Sequence, residues 1–218
     1  MGPVVELNEA IRCEYISTIL HACICIVKQR TGKEISLRPQ LEIVGEENTG
    51  RVDYAVKALE ELICITEAKR YQITIGFAQV FINDFLCLFF FYIVQKLIMF
   101  FISKNILQCE RALQTNKKKR KASDAFKEDY DYLLGIVTTA TEWYFLLYTS
   151  EGILCTSQME YYINFARNIA KEENEAELRK NVKRVMEVIV CLLKNRVEEV
   201  GKEPETKKQR IEKYRGRR

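Results

Sequence analysis

Asp53, Glu67 and Lys69 are the residues of this chain whose types and spacing could do chemistry. Glu67 and Lys69 stand two apart at the end of Leu62 to Ala68, a run that reads as a strand, so both side chains leave the same face. Asp53 lies in Arg51 to Lys57, which reads as the neighbouring strand, and it can reach that face. The result is two carboxylates and an ammonium around one point. Mg²⁺ is usually held by one or two carboxylates together with waters and phosphate oxygens. Such an ion lowers the pKa of bound water and stabilises charge on a phosphodiester, while a lysine orients the attacking water. The plain alternative is a half-exposed sheet with Lys69 in a surface ion pair of small worth. Against it, "LICITEAK" is apolar on both faces up to Glu67, as expected of a covered strand whose end is polar for a reason.

The elements that must position these residues follow from periodicity. Val5 to Lys28 places Ile11, Tyr15, Ile16, Ile19, Cys23, Ile26 and Val27 at helical spacing, and Gly32 closes that helix. Leu37 to Val44, Arg51 to Lys57 and Leu62 to Ala68 read as three strands, the last two antiparallel across the short "ALEE" connection. Tyr132 to Thr139, Trp143 to Ser150 and Ile153 to Thr156 add further strands. Asn174 to Val200 is a long amphipathic helix. Residues 1–200 are expected to form one domain, followed by a flexible basic tail from 201 to 218.

At 218 residues the chain has room for one well-buried core. A hydrophobic content of 48% beside 29% charged residues excludes disordered and collagen-like classes. The net charge of +4 is concentrated in Lys117 to Lys121 and in Lys207 to Arg218. Such blocks suit phosphate backbones, nuclear import or a solvated tail. Of eight cysteines, seven (Cys13, Cys23, Cys25, Cys64, Cys109, Cys155 and Cys191) sit in apolar-periodic segments, where Cys acts as a small hydrophobe. A reducing, intracellular setting in nucleus or cytoplasm is expected. No CxxC pair is present, and the lone His21 lies in a helical stretch, so a zinc site lacks ligands. The N-terminus has no secretory pattern. Trp143 and Tyr144 read as core.

Val80 to Lys104 differs from its surroundings. Seven of the eleven Phe residues fall in these 25 positions, and Gly, Ala, Pro, Arg and Glu are missing. Three readings stand. A membrane span over Phe81 to Ile102 is marginally favourable: fifteen Leu, Ile, Phe and Val residues contribute roughly −6 kcal/mol against about +3 for Lys96 and less for Asp84. A buried helix would need a large cavity for so many Phe rings. The third is a retained intron, since Val codons begin with GT, one Lys codon ends in AG, and the composition is that of AT-rich non-coding DNA. Its removal joins Gln79 to Asn105 and gives one continuous helix, with Ile75, Ala78, Ile106, Leu107 and Leu113 available to its apolar face.

The pattern of an Asp on the second strand and Glu-x-Lys on the third resembles the PD-(D/E)XK superfamily, the restriction-endonuclease-like nucleases. The resemblance covers roughly Val5 to Thr156. It implies an α/β fold with an α-β-β-β-α-β core, to which this chain adds strands and the long C-terminal helix. The proline of the first motif is replaced by "RVD" at Arg51 to Asp53. Glu14, on the first helix, matches the element where relatives carry an extra metal-supporting Glu. With the anomalous segment removed, Gln79 and Gln108 form Q-x-x-x-Q, which resembles the glutamine motif of the exonuclease branch. "YLLGIVTTATEWYFLLYT" looks like the strand pair in nuclease domains of type I restriction subunits, although "TTATEW" lacks the turn glycine. E-x-K itself recurs at Glu205 to Lys207.

What the resemblance implies is Mg²⁺-dependent hydrolysis of DNA. Asp53 and Glu67, supported by Glu14, would hold metal, Lys69 would position the water, and Gln79 and Gln108 would orient substrate or the lysine. A noncatalytic nucleic-acid- or protein-binding module of the same fold and a membrane-anchored protein remain as alternatives.

Overall fold

The computed structural model describes residues 9–44, 49–59, 61–68, 84–118, 131–156, 161–163, 172–200 and 211–212; inside the helices, the side chains of residues 9, 84–98, 117, 118 and 172–174 lie outside the description. The fold is mixed α/β, with three helices and a mostly antiparallel sheet.

Helix α1 (Glu9–Thr31) forms because Ile16, Ile19, Leu20, Cys23, Ile24 and Val27 recur every three or four residues and are buried together. It ends at Gly32, whose φ of 63° and N–H donation to Lys28 O (2.9 Å) make a left-handed cap. Strands β1 (Ile35–Pro39), β4 (Tyr54–Ala58), β5 (Glu61–Ala68), β6 (Tyr132–Thr138), β7 (Trp143–Thr149) and β8 (Gly152–Cys155) make a six-stranded sheet in the order β1-β4-β5-β6-β7-β8. Every pairing in it is antiparallel except β5 with β6. Those two run parallel because helix α2 (Asp84–Lys118) lies between them as the crossover. Two short strands, β2 (Glu42–Val44) and β3 (Thr49–Arg51), form a separate ribbon.

Helix α1 and the long C-terminal helix α3 (Glu172–Glu199) cover one sheet face, where Ile16, Leu20, Val185, Ile189 and Val197 pack on Ile63, Leu134, Ile136 and Phe145. Ile211, within the stretch expected to be a flexible tail, is buried in this same core. Helix α2 and the ribbon cover the other face, with Cys109, Ala112 and Leu113 against Val52, Ala55, Ile65 and Leu133. Leu62 to Glu67 are accordingly buried throughout, as the apolar run predicts.

The buried stripe of α2 is Asn105, Gln108, Cys109, Ala112, Leu113 and Asn116, a helical spacing carried largely by polar and small residues. Leu107, expected on the apolar face, is 46% exposed. The polar members bond strand backbone. Asn116 accepts from Leu62 N (2.9 Å) and donates to Leu62 O (2.7 Å), beside the register shift between β4 and β5. Asn105 donates to Ile65 O and Ile136 O, one on each parallel strand (3.4 Å each). Its close approach requires Gly135, where a Cβ would overlap Asn105 Oδ1.

Three boundaries differ from the sequence reading. Leu37 to Val44 is broken at Gln40 and Leu41, so Pro39 ends β1 and Glu42 begins β2, in a different sheet. Arg51 to Lys57 is broken at Val52 and Asp53, so Arg51 ends the ribbon and Tyr54 begins β4. The corner is held by Gln40 N donating to Asp53 O and Val52 N donating to Leu41 O, both at 2.9 Å. The anomalous segment continues as helix from Asp84 into the well-packed part of α2, and its last residues join the fold: Phe101 and Ile102 pack with Ile106 on Val137, Tyr144 and Leu146. The side chains of residues 80–98 lie outside the described residues, so the span reading of 81–102 is unaddressed there. Among the described residues, the helix long and apolar enough to cross a bilayer is Ala10–Thr31, and 33% of that window is buried against the rest of the chain.

Candidate active site

The C-terminal end of β5 gathers the polar residues. The β4–β5 ladder ends at the Tyr54–Thr66 pair, and Asp53, in the bend just before β4, reaches β5 through its side chain, at Ala68 next to Glu67. Asp53 is fixed from two sides: its Oδ2 accepts from Ala68 N (2.8 Å) and its Oδ1 from Gln40 Nε2 (3.4 Å). Gln40 holds a left-handed φ of 51°, an uncommon conformation for a residue with a Cβ.

Glu67 is fully buried, and its Oε2 meets Lys104 Nζ at 3.1 Å. One turn along α2, Gln108 is 2% exposed and donates through Nε2 to Arg51 O (3.1 Å), two residues from Asp53. Among the described residues, Gln108 Oε1 has no hydrogen-bond partner. A single turn of α2 therefore reaches from the Glu67 carboxylate to the backbone of Arg51. The wall is apolar and close. Burial, with the charge of Cys13 and Asp53 nearby, raises the Tyr54 hydroxyl above its usual range, and that hydroxyl donates to Cys13 O (2.9 Å). Burial also raises the Cys109 thiol, reinforced by Cys64 and Glu67.

The structure thus places Asp53 and Glu67 at the end of β5, and Gln108 against the backbone of Arg51. Lys69 and Gln79 lie outside the described residues, as does the second E-x-K in the tail. Glu14 is exposed on α1, and no contact joins its side chain to Asp53 or Glu67 among the described residues. His21 is exposed on the same helix, whereas Trp143 and Tyr144 are core. The seven described cysteines are all free thiols. Two residues of the cluster went unseen in the sequence. Gln40 follows a proline in a turn with no signal of its own, and Lys104 lies in the stretch that composition set apart.

The adjoining β6–β7 turn closes this end of the sheet. Thr138 Oγ1 donates to Glu142 O (2.8 Å) and Trp143 Nε1 to Ala140 O (2.9 Å). Ala140 takes φ 75°, a left-handed conformation that suits the glycine missing from "TTATEW".

No protein-family model, curated protein or solved structure matches the chain. The site must be judged by its donors. No group of three His, Cys, Asp or Glu residues suited to a metal occurs among the described residues. Two carboxylates are a donor set that Mg²⁺, with waters and phosphate oxygens, would take, in contrast to a closed zinc or calcium cage.

Proposed function

We propose that this chain is a Mg²⁺-dependent nuclease acting on DNA, with Asp53 and Glu67 as its metal-holding carboxylates. The observation that carries the reading is the pair of acids at the carboxyl end of β5: Asp53 accepts from Ala68 N, the residue after Glu67, and Glu67 meets Lys104 of α2. Ligand sites of α/β sheets gather outside the carboxyl ends of parallel strands. The path α1-β1-β4-β5-α2-β6, with the ribbon set aside, supports the restriction-endonuclease-like core.

Mg²⁺, when bound, supplies a Lewis acid for the phosphate oxygens and a more acidic water. The chain's own residues do the rest. Asp53 is held at a fixed angle by Ala68 N and Gln40, and Glu67 is set in a dry wall. Gln108 Oε1, buried without a hydrogen-bond partner among the described residues, would accept from a water that entered there. Hydrolysis forms one P–O bond from the water oxygen and breaks the P–O bond to the leaving sugar oxygen. The water's proton passes to solvent or a site carboxylate, and the sugar oxygen takes one from solvent.

A second reading has its own observation: Glu67 already holds an ammonium, which suits a noncatalytic nucleic-acid-binding module. Cleavage of single- and double-stranded DNA separates the two. With Mg²⁺ the full chain should cut, with EDTA it should not, and Asp53→Asn and Glu67→Gln should each lower the rate by roughly 10²-fold or more. DNA binding without any Mg²⁺-dependent cutting would establish the binding module instead.

A further inference from the structure

We infer that Lys104 supplies the ammonium of this site: it holds Glu67 at rest and contacts the scissile phosphate and attacking water when DNA is bound. The inference rests on the nuclease reading and adds a residue to it. Lys104 is 46% exposed in its side chain while Glu67 is 1% exposed, so the lysine reaches from the solvent side onto a buried acid. An ammonium has three donors, and only the one to Glu67 is used among the described residues. Two are left for a phosphate oxygen and a water.

The backbone that carries Lys104 is held more firmly than an exposed lysine needs. Its neighbour Asn105 is fully buried and bonds the carbonyls of both parallel strands over Gly135. A residue locked at its base and free at its tip is how a contact to a reacting group is preorganised.

Helix register adds a second consequence. Lys104 and Gln108 stand at i and i+4, and a chain lacking residues 80–104 would carry Gln79 in the place of Lys104. The segment that composition marks as foreign therefore decides whether this turn of α2 carries a cation or a neutral amide at the place where Lys104 meets Glu67. The Lys104→Gln substitution reproduces that exchange without shortening the chain.

The experiment uses the full chain and three variants, Lys104→Met, Lys104→Gln and Lys104→Arg, with Lys69→Met alongside. Single-turnover cleavage of a DNA duplex is measured with Mg²⁺, and Mg²⁺ binding to the DNA-free protein is measured by calorimetry. Lys104→Met and Lys104→Gln should each slow cleavage by about 10²-fold or more, with Lys104→Arg within about tenfold of wild type. Both neutral variants should bind Mg²⁺ about fivefold more tightly, because a competing positive charge has left Glu67. A merely structural lysine would lower thermal stability and leave Mg²⁺ affinity unchanged. Cleavage kept within threefold by Lys104→Met, or by Lys104→Gln, would overturn the assignment alone, the latter in favour of an amide at this place. Absence of cutting by the wild-type chain would overturn the nuclease reading and the assignment with it.

Discussion

The parallel strands β5 and β6 end in two polar clusters of opposite character. At their amino ends Arg196 of α3 is fully buried. It donates to Asp131 (2.8 Å), Glu61 (3.2 Å) and Tyr132 O (3.1 Å), and its guanidinium lies 5.0 Å from the centroid of the Tyr132 ring. The Tyr132 hydroxyl donates to buried Glu199 (2.5 Å). At the carboxyl ends Glu67 is as buried as Arg196, but among the described residues the cation it meets is a half-exposed lysine. The same charges thus serve two purposes. A planar guanidinium with several fixed partners locks α3 to the sheet, whereas a point-charge ammonium on a flexible stem can be exchanged for a ligand.

The largest effect expected from this contrast is on stability. Arg196→Met leaves Asp131 buried without its cation and should cost about 3–5 kcal/mol. Lys104→Met also takes a cation from a buried acid, but water can replace the half-exposed ammonium, so it should cost less than Arg196→Met, about 1–3 kcal/mol. Urea unfolding of the two variants measures both. Equal losses would abolish the distinction between a closed end and an open one.

An intermediate effect should come from the contact that joins the two ends. Gly135→Ala drives a methyl into Asn105 Oδ1, and overpacking of this kind costs roughly 1–3 kcal/mol. Because Asn105 anchors the turn bearing Lys104 and Gln108, the substitution should also slow cleavage. Gly135→Ala combined with Asn105→Ala removes the overlap, so the pair should cost less than the sum of the single changes. Additive losses in a double-mutant cycle would mean that Gly135 and Asn105 do not share one constraint.

The closed end and the strands around it were legible because they follow from runs of apolar residues. Leu62 to Ala68 became β5 from Glu61, Tyr132 to Thr139 became β6, and Asn174 to Val200 became α3 within two residues at either end. Asp53 was legible as lying near the end of β5, where its Oδ2 accepts from Ala68 N, though not as part of a strand. The rest was hidden by the same rule. The buried stripe of α2 is Asn105, Gln108 and Asn116 among small residues, and apolar periodicity cannot find a face whose packing is made by amides on strand backbone. The corner at Asp53 arises from backbone bonds to Gln40 and Leu41, residues more than ten positions away. Lys104 was masked by composition, which describes a segment and is silent on whether its last turn reaches the sheet.

The smallest effect is the most specific, and it concerns two left-handed residues, one at each end. Leu59 (φ 53°) turns the chain between β4 and β5 at the closed end, 64% exposed. Gln40 (φ 51°) turns it at the open end and points an amide at Asp53. Holding a residue with a Cβ in that region costs on the order of 1 kcal/mol, which glycine avoids. Glycine also gives the unfolded chain more freedom to lose, so the net gain from either substitution should be a few tenths of a kcal/mol. The backbone term is common to both sites, and Leu59→Gly and Gln40→Gly should shift the urea midpoint by similar small amounts. Their effects on cleavage should part. Leu59→Gly leaves the site untouched and its rate unchanged, whereas Gln40→Gly removes a carboxylate's orienting partner, a change that typically lowers activity about tenfold or more. A Gln40→Gly chain that cut DNA as fast as wild type would show that the corner's conformation belongs to the fold alone, as it does at Leu59.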